Sequence, residues 1–246
     1  MIFTDLPFEQ RIPAVAEAGY KAFEFWGWQN KDMDQVVRLA EESGLTIAGF
    51  VCESEGALVD PGNLEAWVAG AQRSIDEAAA RGVKTLIVTT GQEIPELSRW
   101  AQHDAIVKGL TCVAPYAEDK GITLVLEPLN TLVNHKGYYL AESGEGFDIV
   151  RAVDSPAVKL LYDIYHQQIT EGFLLPTIEA NLDLIGHFHV ADVPGRHEPG
   201  TGEINYSNIF AFLAQSSYSA WVGLEFSPTG DAAEALAQVK QIAGLA

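Results

Sequence analysis

Along this chain, short apolar runs rich in β-branched and aromatic residues alternate with longer amphipathic stretches. The runs are Tyr20 to Gly27, Leu45 to Cys52, Val83 to Thr90, Ile122 to Pro128, Val158 to Ile164, Leu184 to Val190 and Ala220 to Phe226. Each is too short for a core helix and is bounded by Gly, Asn, Ser or charged residues, which predicts strand. Between them, Met33 to Ser43, Leu64 to Arg81, Asp104 to Asp119 and Asn205 to Ala214 carry helical patterns. Gly19, Gly44, Gly82 and Gly121 close helices and launch strands, as suits a residue that tolerates a left-handed backbone. Pro13 and Pro115 fall inside helical patterns and mark kinks or helix starts.

Alternating strands and helices, with strands apolar almost throughout, predict a parallel sheet covered by helices. The dinucleotide fingerprint GxGxxG and the P-loop GxxxxGK[ST] are both absent. Instead, successive strands carry an ionisable group at the C-terminal end, where a barrel gathers its chemistry on one face. The predicted fold is therefore α/β, a (β/α)8 TIM barrel, with residues 1–246 forming a single domain. Only seven complete strands can be counted, so the first strand is truncated or very short. Met1 to Phe3 is expected to supply it, beside Tyr20 to Gly27.

Strand side chains alternate in direction, so inward positions recur every second residue. Val125 shares a face with Glu127, Leu161 with Asp163, Ile185 with His187 and His189, and Gly223 with Glu225. Glu127, Asp163, His189 and Glu225 should thus point into the barrel near its mouth, separated by 36, 26 and 36 residues. Three acids and an imidazole facing one closed interior would be destabilising unless a cation neutralised them. An oxygen-rich, nitrogen-poor set favours Mn²⁺ or Mg²⁺, with Co²⁺ a third fit. Taken singly, a strand-end carboxylate is more often a helix cap or a salt-bridge partner. His187, deeper on its strand, reads as a hydrogen-bonded core histidine.

Weaker signals surround this set. His166 follows Asp163 by three residues and should sit just above the strand end, within reach of a substrate. Arg196, in the loop Val193 to Gly200, either recognises a substrate oxygen with its planar fork or forms a surface salt bridge. His135 and Lys136 follow Glu127 in a loop that could contribute a lid contact or only surface. Glu24, Trp26 and Trp28 end a strand, and the tryptophans either wall a sugar-like ligand or pack in the core.

Charge narrows the partners. The chain has 34 acidic and 15 basic residues, a formal net charge of −19. That balance argues against a nucleic-acid or anionic membrane partner and leaves a small-molecule substrate, with a homo-oligomer left open. Two isolated cysteines, Cys52 and Cys112, make no disulfide framework or zinc ribbon. The first residues lack a signal-peptide pattern, and no apolar run reaches the roughly 18 residues of a membrane span. A cytoplasmic protein is expected.

Longer motifs add a resemblance. Glu127-Pro128-Leu129-Asn130, Tyr162-Asp163-Ile164-Tyr165-His166, Gly186-His187-Phe188-His189-Val190-Ala191-Asp192, Gly200-Thr201-Gly202-Glu203-Ile204-Asn205-Tyr206 and Gly223-Leu224-Glu225 resemble the hydroxypyruvate isomerase family. That family is one of the xylose-isomerase-like barrels, which also include the ketose 3-epimerases. The resemblance implies a metal-dependent isomerase of a small hydroxy-carbonyl compound, working through a cis-enediolate. It implies that Glu127, Asp163 and Glu225 are metal ligands, that Glu127 and Glu225 double as the acid/base pair, and that His166 and Arg196 touch substrate. Glu24 and Trp26 complete the expected substrate-binding set. His189 stands where glutamine is expected in hydroxypyruvate isomerases, and histidine is the ligand type of the 3-epimerases. A ketose 3-epimerase and a non-catalytic sugar-binding barrel are the competing readings. A metal-dependent apurinic endonuclease shares the barrel, but it would need more histidine ligands and a basic groove.

Overall fold

A computed structural model describes residues 1–53 and 56–245. Seven parallel strands form one sheet in sequential order: β1 (Ala22–Phe25), β2 (Thr46–Val51), β3 (Thr85–Val88), β4 (Thr123–Leu126), β5 (Val158–Asp163), β6 (Ile185–Val190) and β7 (Val222–Leu224). Each lies inside one of the apolar runs, and the sheet curls into a nearly closed barrel.

The helices, α3 (Leu64–Ala80) and α5 (Ser143–Val153) among them, begin and end where local chemistry dictates. Helix α2 (Met33–Glu42) starts at Asp32, whose carboxylate accepts from the Gln35 N–H. Helix α4 (Arg99–Lys120) starts five residues before the expected Asp104, because Ser98 caps the Ala101 N–H at 3.1 Å. It ends at Gly121, in the left-handed region at φ 65°, as a C-terminal glycine should. Pro13 lies inside α1 (Phe8–Glu17) and Pro115 inside α4. The main apolar core fills the layer between sheet and helices, with Phe50, Trp67, Leu124, Tyr162 and Phe188 fully buried. A smaller apolar cluster of Ile87, Val125 and Leu161 occupies the barrel interior.

Two departures from simple alternation shape that interior. Between β5 and β6 the pairing runs Leu160 with Ile185 and then Leu161 with His187, leaving Gly186 as an extra residue. Ile185 therefore joins the outer core with Leu160, whereas His187 and His189 face inward, so the expectation that all three share a face is corrected. Gly186 suits that spot: a Cβ there would lie 2.7 Å from Lys159 Cβ and 2.9 Å from Val125 Cγ1.

The second departure is at the seam between β1 and β7. The expected strand over Met1 to Phe3 does not form. Phe3 takes a left-handed conformation at φ 54°, and the Leu6 N–H closes a turn onto its carbonyl at 3.0 Å. The chain turns away before it can build a ladder. Ile2 and Phe3 pack instead against the cluster of Phe226, Ala235 and Leu236, alongside Tyr20.

Candidate active site

The barrel architecture carries each predicted group to one end. Glu127 directly follows β4, its N–H bonded to the Val88 carbonyl. Asp163 closes β5, His189 lies one residue short of the end of β6, and Glu225 follows β7. Ligand atoms of Glu127, Asp163, His166 and Glu225 lie within 4.8 Å of one another. His189 Nδ1 faces the same group, 3.4 Å from Glu127 Oε1 and 3.2 Å from Glu225 Oε2. Asp163 serves twice: Oδ1 accepts from the His166 N–H at 3.1 Å, capping α6 (Ile164–Thr170), while Oδ2 turns to the cluster.

Beneath this group lies a second one. Glu24, from β1, places Oε2 2.8 Å from His187 Nε2 and Oε1 3.0 Å from His189 Nε2. The contact to His189 lies off the ring N–H direction and is an ion-pair approach. Glu24 was expected at the substrate, yet both its oxygens are taken by the histidines. Its neighbour across the seam is Gly223, where a Cβ would lie 2.0 Å from Glu24 Oε1 and 2.7 Å from His189 Cδ2. Only glycine leaves room for that carboxylate and imidazole. The signal was legible as a glycine at an inward strand position two residues before Glu225.

Burial sets the electrostatics. It raises the Glu127 carboxyl above its usual range despite the nearby His189 imidazole, with Glu225 and Asp163 adding repulsion. It raises Asp163 to about 6. For Glu225 burial also pushes upward, but His189 and Arg196 outweigh it and bring the carboxyl down to about 2. For Glu24 the same opposition ends lower still, held down by His189 and His187. His189 would be depressed by burial alone, and the carboxylates of Glu24, Glu127 and Glu225 raise it well above an ordinary imidazole.

These residues fit a divalent cation. Three buried or near-buried carboxylates converge from β4, β5 and β7, and two of them, Glu127 and Glu225, face His189 Nδ1, which is shut off from solvent and has no hydrogen-bond partner among the described residues. The opposite ring nitrogen faces a carboxylate, the arrangement that orients metal-bound histidines. The donor set is oxygen-rich, which suits Mn²⁺ or Mg²⁺ chemistry.

Above the cluster, two donors meet. His166 is fully buried, and its Nδ1 accepts the Asn130 N–H at 3.1 Å, so the ring proton sits on Nε2. Burial lowers its pKa to about 3, which keeps it neutral. Nε2 lies 3.3 Å from an Arg196 terminal nitrogen; two donors cannot serve each other, and both face Asp163 Oδ2, at 3.4 and 3.9 Å. Arg196 also donates to Glu225 Oε2 at 2.6 Å and lies over the Tyr165 ring. Its ion pair with Glu225 is therefore set into the barrel mouth rather than on the open surface. Trp26 is 61% exposed at the mouth and donates its indole N–H to Glu225 Oε1 at 3.1 Å. Trp28 instead packs on Phe50 and donates to Ser74.

Sequence reasoning missed what holds Arg196 in place. Asp192, fully buried, accepts backbone N–H groups from Val193, Gly200, Gly202 and Ile204 at 2.8–3.1 Å, folding the whole loop around one carboxylate. Glu198 ties that loop to the next through the Thr229 N–H and hydroxyl. Arg196 itself sits at φ 59°, so the loop holds it in a conformation few non-glycine residues adopt. The glycines of the Gly200-Thr201-Gly202 segment were the visible signal: a Cβ on Gly202 would lie 2.0 Å from the Val193 carbonyl oxygen.

Residues 12–242 match the xylose isomerase-like TIM barrel family, and the chain belongs to it. Within that family it is 30% identical over 235 residues to hydroxypyruvate isomerase of Escherichia coli, covering 93% of this chain and 91% of that one. It is 30% identical over 243 residues to 2-oxo-tetronate isomerase of Pectobacterium atrosepticum, covering 96% and 92%. Among solved structures, AP endonuclease, family 2 from Brucella melitensis superposes with a TM-score of 0.92 at 30% identity, over 98% of this chain and 95% of that one.

Proposed function

We propose that this protein is a metal-dependent isomerase that moves a proton between adjacent carbons of a small hydroxy-carbonyl compound through a cis-enediolate. The observation that carries the reading is the convergence of Glu127, Asp163 and Glu225, two of them, Glu127 and Glu225, facing the His189 Nδ1, which has no hydrogen-bond partner among the described residues. These four would hold Mn²⁺ or Mg²⁺. When bound, such an ion supplies Lewis-acid stabilisation of negative charge developing on substrate oxygens. The isomerases among the relatives at 30% identity, one acting on hydroxypyruvate and one on a 2-oxo-tetronate by name, support the same reaction class.

The chain's own residues perform the proton transfer. One of Glu127 or Glu225 takes the carbon-bound proton, and the same group or its partner returns one, a contribution of about 10²–10⁴ in rate. Arg196 and the His166 Nε2–H donate to a substrate oxygen above Asp163, fixing the carbon chain relative to the glutamates. Arg196 and Trp26 hold the two oxygens of Glu225 in a set orientation. A single glutamate acting in both steps returns the proton to one face and gives isomerisation. Transfer to opposite faces would give 3-epimerisation.

The Brucella relative suggests nucleic-acid chemistry, but a net charge of −19 repels a phosphate backbone. No helix among the described residues is long and apolar enough to cross a membrane. Cys52 and Cys112 are free thiols, in keeping with the reducing cytoplasm we propose as its compartment. Incubation with a panel of ketoses and 2-oxo acids in D₂O with Mn²⁺ tests the reading. Protein-dependent deuterium incorporation next to a carbonyl is expected, and its position and configuration separate isomerisation from epimerisation. Binding without any exchange would make the barrel a non-catalytic sugar-binding protein and sink the proposal.

A further inference from the structure

We propose that His135, in the loop after β4, is a further substrate-contacting residue that uses its Nε2 to hold the part of the substrate farthest from the carboxylate cluster. The inference rests on the isomerase reading and adds a recognition element to it.

The imidazole of His135 lies edge-on to His166, with ring centroids 5.2 Å apart, and so borders the space that His166 and Arg196 face. Its Nε2 is shut off from solvent and meets no hydrogen-bond partner among the described residues. Arg196 Nε and His189 Nδ1 are equally idle among the described residues. Buried polar groups in native proteins are nearly always satisfied, so unspent nitrogens gathered at one mouth point to a ligand rich in oxygen.

The loop is built to hold the ring still. Asn130 Oδ1 accepts from the Val133 and Asn134 N–H groups, and the His135 N–H bonds to the Asn130 carbonyl at 3.0 Å. Asn134 is gripped from two sides, by Asn130 Nδ2 at 3.0 Å and by the Tyr165 hydroxyl at 2.8 Å. The far end is pinned by Tyr138, whose hydroxyl accepts the Thr90 N–H and donates to the Glu127 carbonyl. The strand-end segment that positions Glu127 thus also positions His135. A residue serving only as surface would need none of this bracing.

The test uses the Mn²⁺-loaded full chain and calorimetric binding of four probes: hydroxypyruvate, D-glycerate, glycolaldehyde and D-erythrulose. For whichever probe the wild type binds, H135A should weaken binding about tenfold, the scale of one lost hydrogen bond. H135Q, which returns an amide near the Nε2 position, should recover part of the loss. Mn²⁺ affinity and melting temperature should match wild type in both variants. Equal probe affinity in H135A overturns the inference, as does a parallel fall in Mn²⁺ affinity or melting temperature, which would make His135 a packing residue. If the wild type binds none of the four, the substrate class underlying the isomerase reading fails first, and this inference falls with it.

Discussion

Two clusters of the same residue types sit one layer apart in the barrel and share His189, yet they have opposite electrostatic characters. In the lower one, Glu24 faces His187 and His189, every charge meets its complement, and the carboxyl is held far below its usual range. In the upper one, three carboxylates face His189 and one arginine, and burial drives Glu127 and Asp163 upward. On the proposed function, the balanced layer is structural and the unbalanced one is the place for a counter-ion. The lower cluster orients the histidine that the upper one uses.

The largest effects should come from breaking the upper cluster. E127Q or E225Q should cut turnover by about 10²–10⁴ while the far-ultraviolet circular dichroism spectrum stays native, because each removes a proton carrier and a charge. Next comes the link between layers. E24Q should weaken Mn²⁺ binding about 10–100-fold, with activity recovered at saturating metal, because the Glu24 carboxylate pairs with the two histidines. Unchanged Mn²⁺ affinity in E24Q would detach the two clusters from each other.

A smaller effect is expected at Gly223. G223A puts a Cβ where Glu24 Oε1 and His189 Cδ2 now lie, so it should cost about 1–3 kcal/mol by chemical denaturation and weaken Mn²⁺ binding in parallel. The smallest concerns pH. Burial raises the Asp163 carboxyl from 3.8 to about 6 in the folded protein, so its contribution to metal-free stability is complete below the unfolded value and is lost as pH rises through about 6. D163N keeps the α6 cap, since asparagine caps as well as aspartate, but removes this dependence. Melting curves of the metal-free proteins should show wild type losing ground to D163N from about pH 4 to about pH 6. Added Mn²⁺ should abolish the difference for wild type.

Much of this was legible in the sequence for a physical reason. Strand-end position is a local property, and the apolar runs place Glu127, Asp163, His189 and Glu225 at the same end of parallel strands without any knowledge of packing. Alternation fails where an extra residue enters, so Ile185 could not be assigned a side before the Gly186 bulge was seen. Phe3 could not be told from a strand residue, since its left-handed turn follows from packing against the β7 side of the barrel. Glu24 and Trp26 are neighbours in sequence with different fates: one reaches down to two histidines, the other across the seam to Glu225. Those contacts join β1 to β6 and β7, so no window along the chain contains them. Asp192 was hidden similarly, because its four backbone partners become a set only once the loop has folded.

Counting Mn²⁺ bound per chain, by paramagnetic resonance titration, tests the central claim most directly. The upper cluster should take one ion, the ion should be lost in a chain carrying both E127Q and E225Q, and H187Q should keep it. Absence of a bound ion in wild type, or a stoichiometry unmoved by the paired glutamate changes, would contradict the assignment of the two layers.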